Sequence, residues 1–363
     1  MSTINRKFGV EVEFVGATQE AVADALNAAG VNCHTEEYNH TTRASRWKIV
    51  RDGSVHGPIG SGELVSPPTT DLAMVERALR AAAGAGATAN RTCGLHVHVD
   101  MAGSDLDVWK RLVKLWCRYE DALLTAMPNS RATNSYCKRL VRTLRNTLGG
   151  PGPIDPSNLS DVFALVDGLT TLRELTDVRL ACDRYLTLNP QSTWRYGTVE
   201  FRVHSGTTNA SKVRRWVRLC QAIVAMAFDT TLVVRPCKAD LPALFNEVES
   251  WVARQPATAT LPAAPQVTEY RPRGNGPVAI AWQVYNEVCG NAVVEPRSQA
   301  SREARRTYDA RVAALGINPN TANTCWGTFR QRTRDATATT TAPTVDVAEL
   351  RSYYLERAEE FAA

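Results

Sequence analysis

No apolar run in this 363-residue chain approaches the roughly 18 residues that cross a membrane. The first residues, MSTINRKFGV, lack the apolar stretch of a secretory signal, so a cytoplasmic location is expected. Cysteine occurs nine times but never as C-x-x-C, and an odd, scattered set argues against a disulfide framework and against a zinc ribbon. Reduced, mostly buried thiols are expected instead. Neither sign of charge is in large excess: the net +5 makes no case by itself for a nucleic-acid partner. The absence of G-x-x-x-x-G-K-[ST] excludes a P-loop. GAGATA at 84–89 imitates a dinucleotide fingerprint, but it follows the helical pattern DLAMVERALRAAA where a strand is required, and reads as a helix end and loop.

What is present suffices for a full core, with 44% hydrophobic and 22% charged residues. Strand-like and helix-like segments alternate over residues 1–252, the expected main domain. A Pro-, Ala- and Thr-rich linker is expected at 253–277, a small helical module at 278–334, and a second linker with a short C-terminal helix at 335–363. In the module, eight arginines stand against two acids between Arg297 and Arg334. A helix, a turn at Gly316-Ile317-Asn318 and a second helix from Pro319 fit a helix-turn-helix, with Asn320, Asn323, Thr324 and Arg330 on the recognition helix. Nucleic-acid binding and a helical oligomerisation or docking bundle are both open for this module.

Three segments of the main domain share one pattern. In FGVEVEF, Phe8, Val10, Val12 and Phe14 alternate with Gly9, Glu11 and Glu13; in GLHVHVD, Leu95, Val97 and Val99 alternate with His96, His98 and Asp100. In TVEFRVH, Val199, Phe201 and Val203 alternate with Glu200, Arg202 and His204. Strand alternation gives each segment one greasy and one ionisable face. The segments SDLDVWKRLVKLWCRYEDALL, capped at Ser104 or Asp105, and SKVRRWVRLCQAIVAMAF have helical periodicity and would cover the greasy face. The expected fold class is therefore α+β: an antiparallel sheet with helices on one face and a polar, concave active face.

On that face Glu11, Glu13, His96, His98, Glu200 and Arg202 would converge, with Glu63 from the loop GSGELVSPP. Crowded carboxylates repel and call for cations. Glutamates with one or two imidazoles suit Mg²⁺ or Mn²⁺ carrying phosphates, and Arg202 adds a cationic fork. H-x-H is also a zinc-ligand spacing, so a zinc-dependent hydrolase using His96, His98 and a glutamate is an alternative.

GVEVE, DGSV, GELVSPP, CGLHVHVD and TVEFRVHSGTTN, in this order over roughly residues 6–230, resemble the amidoligase family of carboxylate–amine ligases, related to glutamine synthetase and glutamate–cysteine ligase. The resemblance implies a glutamine synthetase-like sheet, ATP and Mg²⁺ (or Mn²⁺) as cofactors, and amide formation through an acyl phosphate. It implies Glu11, Glu13, Glu63, His96 and Glu200 as metal ligands, with His98 and Arg202 at the nucleotide's phosphates and in catalysis. Asp52 and Ser54 in DGSV read alone as a turn; with the resemblance they become a catalytic and a substrate-binding residue. Arg131, Asn134 and Lys138 in PNSRATNSYCKRL are candidates to hold a substrate carboxylate, or a solvated basic face. Asn189 and Arg195 are expected on a loop at the rim, as a nucleotide contact and a catalytic group. The implied partners are a glutamate-like carboxylate and an amine or peptide amine, with no membrane and an oligomer open. A nucleotide-sensing, DNA-associated binding protein is the remaining alternative.

Overall fold

Greasy strand faces need cover, and this decides the layering. A computed structural model of the protein describes residues 5–39, 41, 45–148, 158–176, 184–255, 299–315, 317–318 and 345–362, with Ala281, Val284, Tyr285 and Val288. The chain divides into two compact units, Met1–Gln255 with Thr344–Ala363, and Pro256–Pro343.

The first unit is built on seven strands: β1 (Phe8–Val15), β2 (Cys33–Thr35), β3 (Trp47–Val50), β4 (Ser61–Val65), β5 (Gly94–Asp100), β6 (Leu188–Asn189) and β7 (Thr198–Ser205). Their order is β2-β3-β4-β1-β5-β7-β6, so the three patterned strands are neighbours at the middle of the sheet. Every pair is antiparallel except β2 with β3, which are parallel because the chain returns to the same end of the sheet before β3 begins. Glu63, expected in a loop, lies within strand β4.

Phe8, Val10, Val12 and Phe14 are buried in one cluster with Leu95, Val97, Val99, Val199 and Phe201. Helices Gln19–Ala28, Leu72–Gly84, Leu106–Thr125 and Ala210–Ala227 supply much of the remainder of that core, including Trp109, Trp116 and Trp216. Side-chain caps define where these helices start, each worth about 1 kcal/mol: Asp71 accepts from Met74 N at 2.9 Å, Asp105 from Val108 N at 2.9 Å and Asn209 from Lys212 N at 3.0 Å. The helix Leu72–Gly84 ends just before Gly86, whose φ of 92° only glycine adopts readily, so GAGATA is a helix end.

The third patterned strand does not alternate to its end. Val97 pairs with Phe201 but Leu95 pairs with His204, so Arg202 and Val203 together oppose the single residue His96. This is a β-bulge, and it moves His204 to the greasy face. The imidazole lies 5.2 Å from the Trp216 ring among the helices, and burial lowers its pKa to about 4. His204 is thus not on the ionisable face that strict alternation predicts.

The C-terminal helix Val347–Ala362 belongs to the first unit. Tyr354 stacks on Phe245 at 6.0 Å and meets Trp216 edge-on at 6.3 Å. Glu349 pairs with Arg214 at 3.1 Å and Arg215 at 2.9 Å, so part of the basic stripe of Ala210–Ala227 docks this helix.

In the second unit, the helix Gln299–Ala314 buries Tyr308 and Val312 against Ala281, Val284, Tyr285 and Ile317. Asn320, Asn323, Thr324 and Arg330 lie outside the described residues, as does most of both expected linkers. Among the described residues no helix is long and apolar enough to cross a membrane.

Candidate active site

Strand register places the ionisable side chains directly opposite one another. Glu13 faces Glu63, Glu11 faces His96, and Glu200 faces both His98 and Asn189. Cross-strand partners share a face, so the ionisable residues of β1, β4, β5 and β7 form one floor. Above it opens a cavity of about 920 Å³. Glu13, Glu63, His96, His98 and Glu200 are buried, and Glu11 is half-buried.

The hub is His96. Its Nδ1 lies 3.3 Å from Glu11, 3.7 Å from Glu200 and 3.9 Å from Glu63, while Nε2 lies 3.7 Å from Glu13. His98 hydrogen-bonds Thr198 Oγ1 through Nδ1 at 3.0 Å, which turns Nε2 toward Glu11 at 3.5 Å and Glu200 at 3.9 Å. That buried Nε2 makes no hydrogen bond. Arg202 forms a short contact with Glu200 and lies 3.4 Å from His96 Nδ1.

Three groups of ligand atoms lie within 4.8 Å of one another: Glu11, Glu63 and His96; Glu11, His98 and Glu200; Glu13, Asp52 and Glu63. Their composition fits a hard divalent cation, since oxygen dominates each group. Among the described residues no such group contains both imidazoles.

Burial raises the pKa of Glu11, but the imidazoles of His96 and His98 outweigh it and hold that carboxyl well below its usual range. Glu63 goes the other way: burial, then the charges of Glu11, Glu13 and Asp52, push it well above. At Glu200 burial is outweighed by Arg202 and His98, and the carboxyl falls. Burial lowers His98, yet Glu200 and Glu11 together leave it raised. Neighbouring carboxyls pushed in opposite directions are what repulsion among crowded carboxylates produces, and a cation bound among them would relieve it.

The family model described as "Putative amidoligase enzyme" matches residues 4–224. The chain belongs to this family. No curated protein matches it.

The remaining expected residues of the amidoligase divide between those that line the cavity and one that does not. Asp52 and Ser54 line the cavity, and Asp52 Oδ1 accepts from Ser54 N at 2.7 Å and Ser54 Oγ at 2.6 Å, so the turn also aims a carboxylate at Glu13 and Glu63. Asn189 sits in the floor and donates to Glu200 at 2.7 Å; Arg195 is exposed at the rim. Arg131 lines the cavity but is buried, donating to the main-chain carbonyls of Arg202 and Val203. Lys138 does not line it: its main chain pairs with Tyr185 and Thr187. Cys93 and Cys137, two of the thiols expected to be buried, are buried, and burial raises both.

The cavity also holds residues to which the motifs assign no role. Thr198 and Lys48 lie on the polar face, and strand alternation in TVEF and WKIV carries that signal. Tyr38, Tyr136, Tyr185 and Arg184 stand in loops around the mouth, where no periodicity marks them.

Gly94 is required by the crowd around it. A Cβ there would stand 2.9 Å from His96 Nε2 and 3.4 Å from the Arg131 guanidinium, while its N–H already donates to Glu13 at 2.5 Å. Gly94→Ala is expected to displace the His96 ring and weaken Mn²⁺ binding at least about tenfold, with the circular dichroism melt retained. Unchanged affinity in an isothermal titration would contradict this.

Proposed function

We propose that this amidoligase joins a carboxylate to an amine in a reaction that depends on ATP and Mg²⁺, with a glutamate-like side chain as the carboxylate and an amine or peptide amine as the acceptor. The observation that carries this reading is the row of ligand groups on the sheet floor, each dominated by oxygen, with an arginine beside it. When bound, Mg²⁺ and ATP would supply the positive charge and the phosphoryl group for an acyl phosphate on the carboxylate; the amine would then lose a proton and displace phosphate to give the amide.

The chain's own residues divide that work. Glu11, Glu13, Glu63, His96 and Glu200 would hold the cations. Arg202 and His98 face the position where negative charge builds on transferring oxygens, and fixed donors there favour the transition state. Asn189 keeps Glu200 oriented through its 2.7 Å bond, and Asp52 adds a carboxylate at the end of the row where Ser54 lines the wall. Arg195 at the rim adds a cation for an anionic ligand. A glutamine synthetase-like fold accords with the helices on one face and the polar floor on the other.

The zinc-hydrolase alternative needs His96 and His98 on one ion, and the ligand groups separate them. The test is release of ADP and phosphate by the full chain with ATP, Mg²⁺ and a panel of carboxylates and amines. Release that needs both substrates and stops with EDTA is expected; product formation without ATP, or in EDTA, would overturn the proposal.

A further inference from the structure

The β-bulge in β7 has a guanidinium beneath it. Two residues, Arg202 and Val203, oppose His96, which disrupts the ladder locally and frees main-chain groups from regular pairing. Arg131, from the short helical turn Asn129–Ala132, meets them: Nη2 donates to Arg202 O at 2.5 Å and Nε to Val203 O at 3.4 Å. Cys137 Sγ reaches Arg202 O at 3.3 Å, and Arg202 N donates to Thr187 O at 2.9 Å. The bulge is thus held at both ends of one residue.

Arg131 is 3% exposed, and among the described residues no carboxylate lies within 4.0 Å of it. A buried charge without a counter-ion is costly, and a carbonyl pair alone is modest compensation. A neutral or shorter side chain would serve a purely structural role better. Arginine, however, has a planar fork that spans two successive carbonyls, which a lysine cannot do. Arg202 keeps the cavity side by alternation from Glu200, and the bulge that begins at it turns His204 to the helices, so the carbonyls that Arg131 spans fix where the main chain of Arg202 sits. Gly94 leaves the space in which the guanidinium and His96 lie side by side.

We propose that Arg131 is a positioning residue that locks the bulge and so aims Arg202 at Glu200 and His96. Its relevance to turnover rests on the ligase reading above; the geometric claim does not. Arg131 therefore acts through Arg202, rather than primarily as a carboxylate-binding group.

A double-mutant cycle with Mn²⁺ as the probe separates these roles. In the full chain, Arg202→Gln releases Glu200 from its guanidinium and is expected to tighten Mn²⁺ binding, followed by electron paramagnetic resonance, by about tenfold. Arg131→Gln is expected to shift affinity in the same direction, and the double variant to match Arg202→Gln alone. Arg131→Lys keeps the charge but loses the fork, and should behave as Arg131→Gln. Additive effects in the double variant, or wild-type behaviour of a folded Arg131→Lys protein, would overturn the proposal. If the glutamine variant does not fold, the lysine variant and a crystal structure of it decide: Arg202 still seated on Glu200 would also overturn it. In the ligase assay a displacement of this kind costs about 10²-fold in kcat. A wild-type protein with no ATP turnover would refute the ligase reading, and the Mn²⁺ cycle would still decide the role of Arg131.

Discussion

Glu11→Gln is expected to abolish measurable ligation, with a loss of at least about 10³-fold in kcat/KM, while the fold survives. Glu11 belongs to two of the three ligand groups, with Glu63 and His96 on one side and His98 and Glu200 on the other. Replacing its carboxylate with an amide removes an anionic ligand from both at once. It also removes one of the two carboxylates, Glu200 and Glu11, that raise the His98 pKa against burial. Glu200→Gln touches one group only, so its loss should be smaller, although it also frees Arg202. The side chain of Glu11 is half-buried on the cavity side, and the hydrophobic half of its strand is untouched by the change. Turnover within tenfold of wild type would remove Glu11 from the metal set.

Glu63→Gln is expected to do two opposite things: eliminate most activity and raise the melting temperature of the metal-free protein. Burial and the charges of Glu11, Glu13 and Asp52 raise the Glu63 pKa well above its usual value. A group whose folded pKa is raised binds its proton more tightly in the folded state than in the unfolded one. Its favourable contribution is complete below the ordinary carboxylate pKa, near 4.5, and is lost as pH rises through the folded value. At neutral pH and above, wild type is therefore penalised, and the amide is not. An increase of about 2–4 °C is the scale that ~1 kcal/mol produces in a domain of this size. Mg²⁺ should stabilise wild type more than the variant, because the cation removes the same repulsion. Differential scanning calorimetry from pH 4.5 to 8 with EDTA checks both points. A variant that melts below wild type throughout would show that Glu63 is stabilising as an anion.

The first prediction rests on a residue that alternation alone singles out. Period-two patterning in FGVEVEF, GLHVHVD and TVEFRVH was enough to place Glu11, Glu13, His96, His98, Glu200 and Arg202 on one face, because each strand has a buried greasy side that leaves no other register. The same patterning misplaced His204, because a bulge depends on a carbonyl partner supplied by Arg131, 72 residues before Val203 in the chain. Glu63 was legible as a cluster member but not as a strand residue: GSGELV has two glycines, and its strand character comes from pairing with β1 and β3. Lys138 and Arg131 sit in one polar segment, and nothing local distinguishes the one that turns inward from the one outside the cavity. The packing of the C-terminal helix is also nonlocal, since it depends on Glu349 meeting Arg214 and Arg215 across the fold. Tertiary context decides such cases where periodicity has no purchase.

Titration of the full, chelator-treated chain with Mn²⁺ and, separately, Zn²⁺, with and without ATP, decides between a nucleotide-linked hard-cation site and a zinc site. Reversible Mn²⁺ binding that tightens when ATP is present and is lost in Glu11→Gln is expected, with no metal carried through purification. Stoichiometric zinc that survives dialysis, together with Mn²⁺ binding indifferent to ATP, would contradict it.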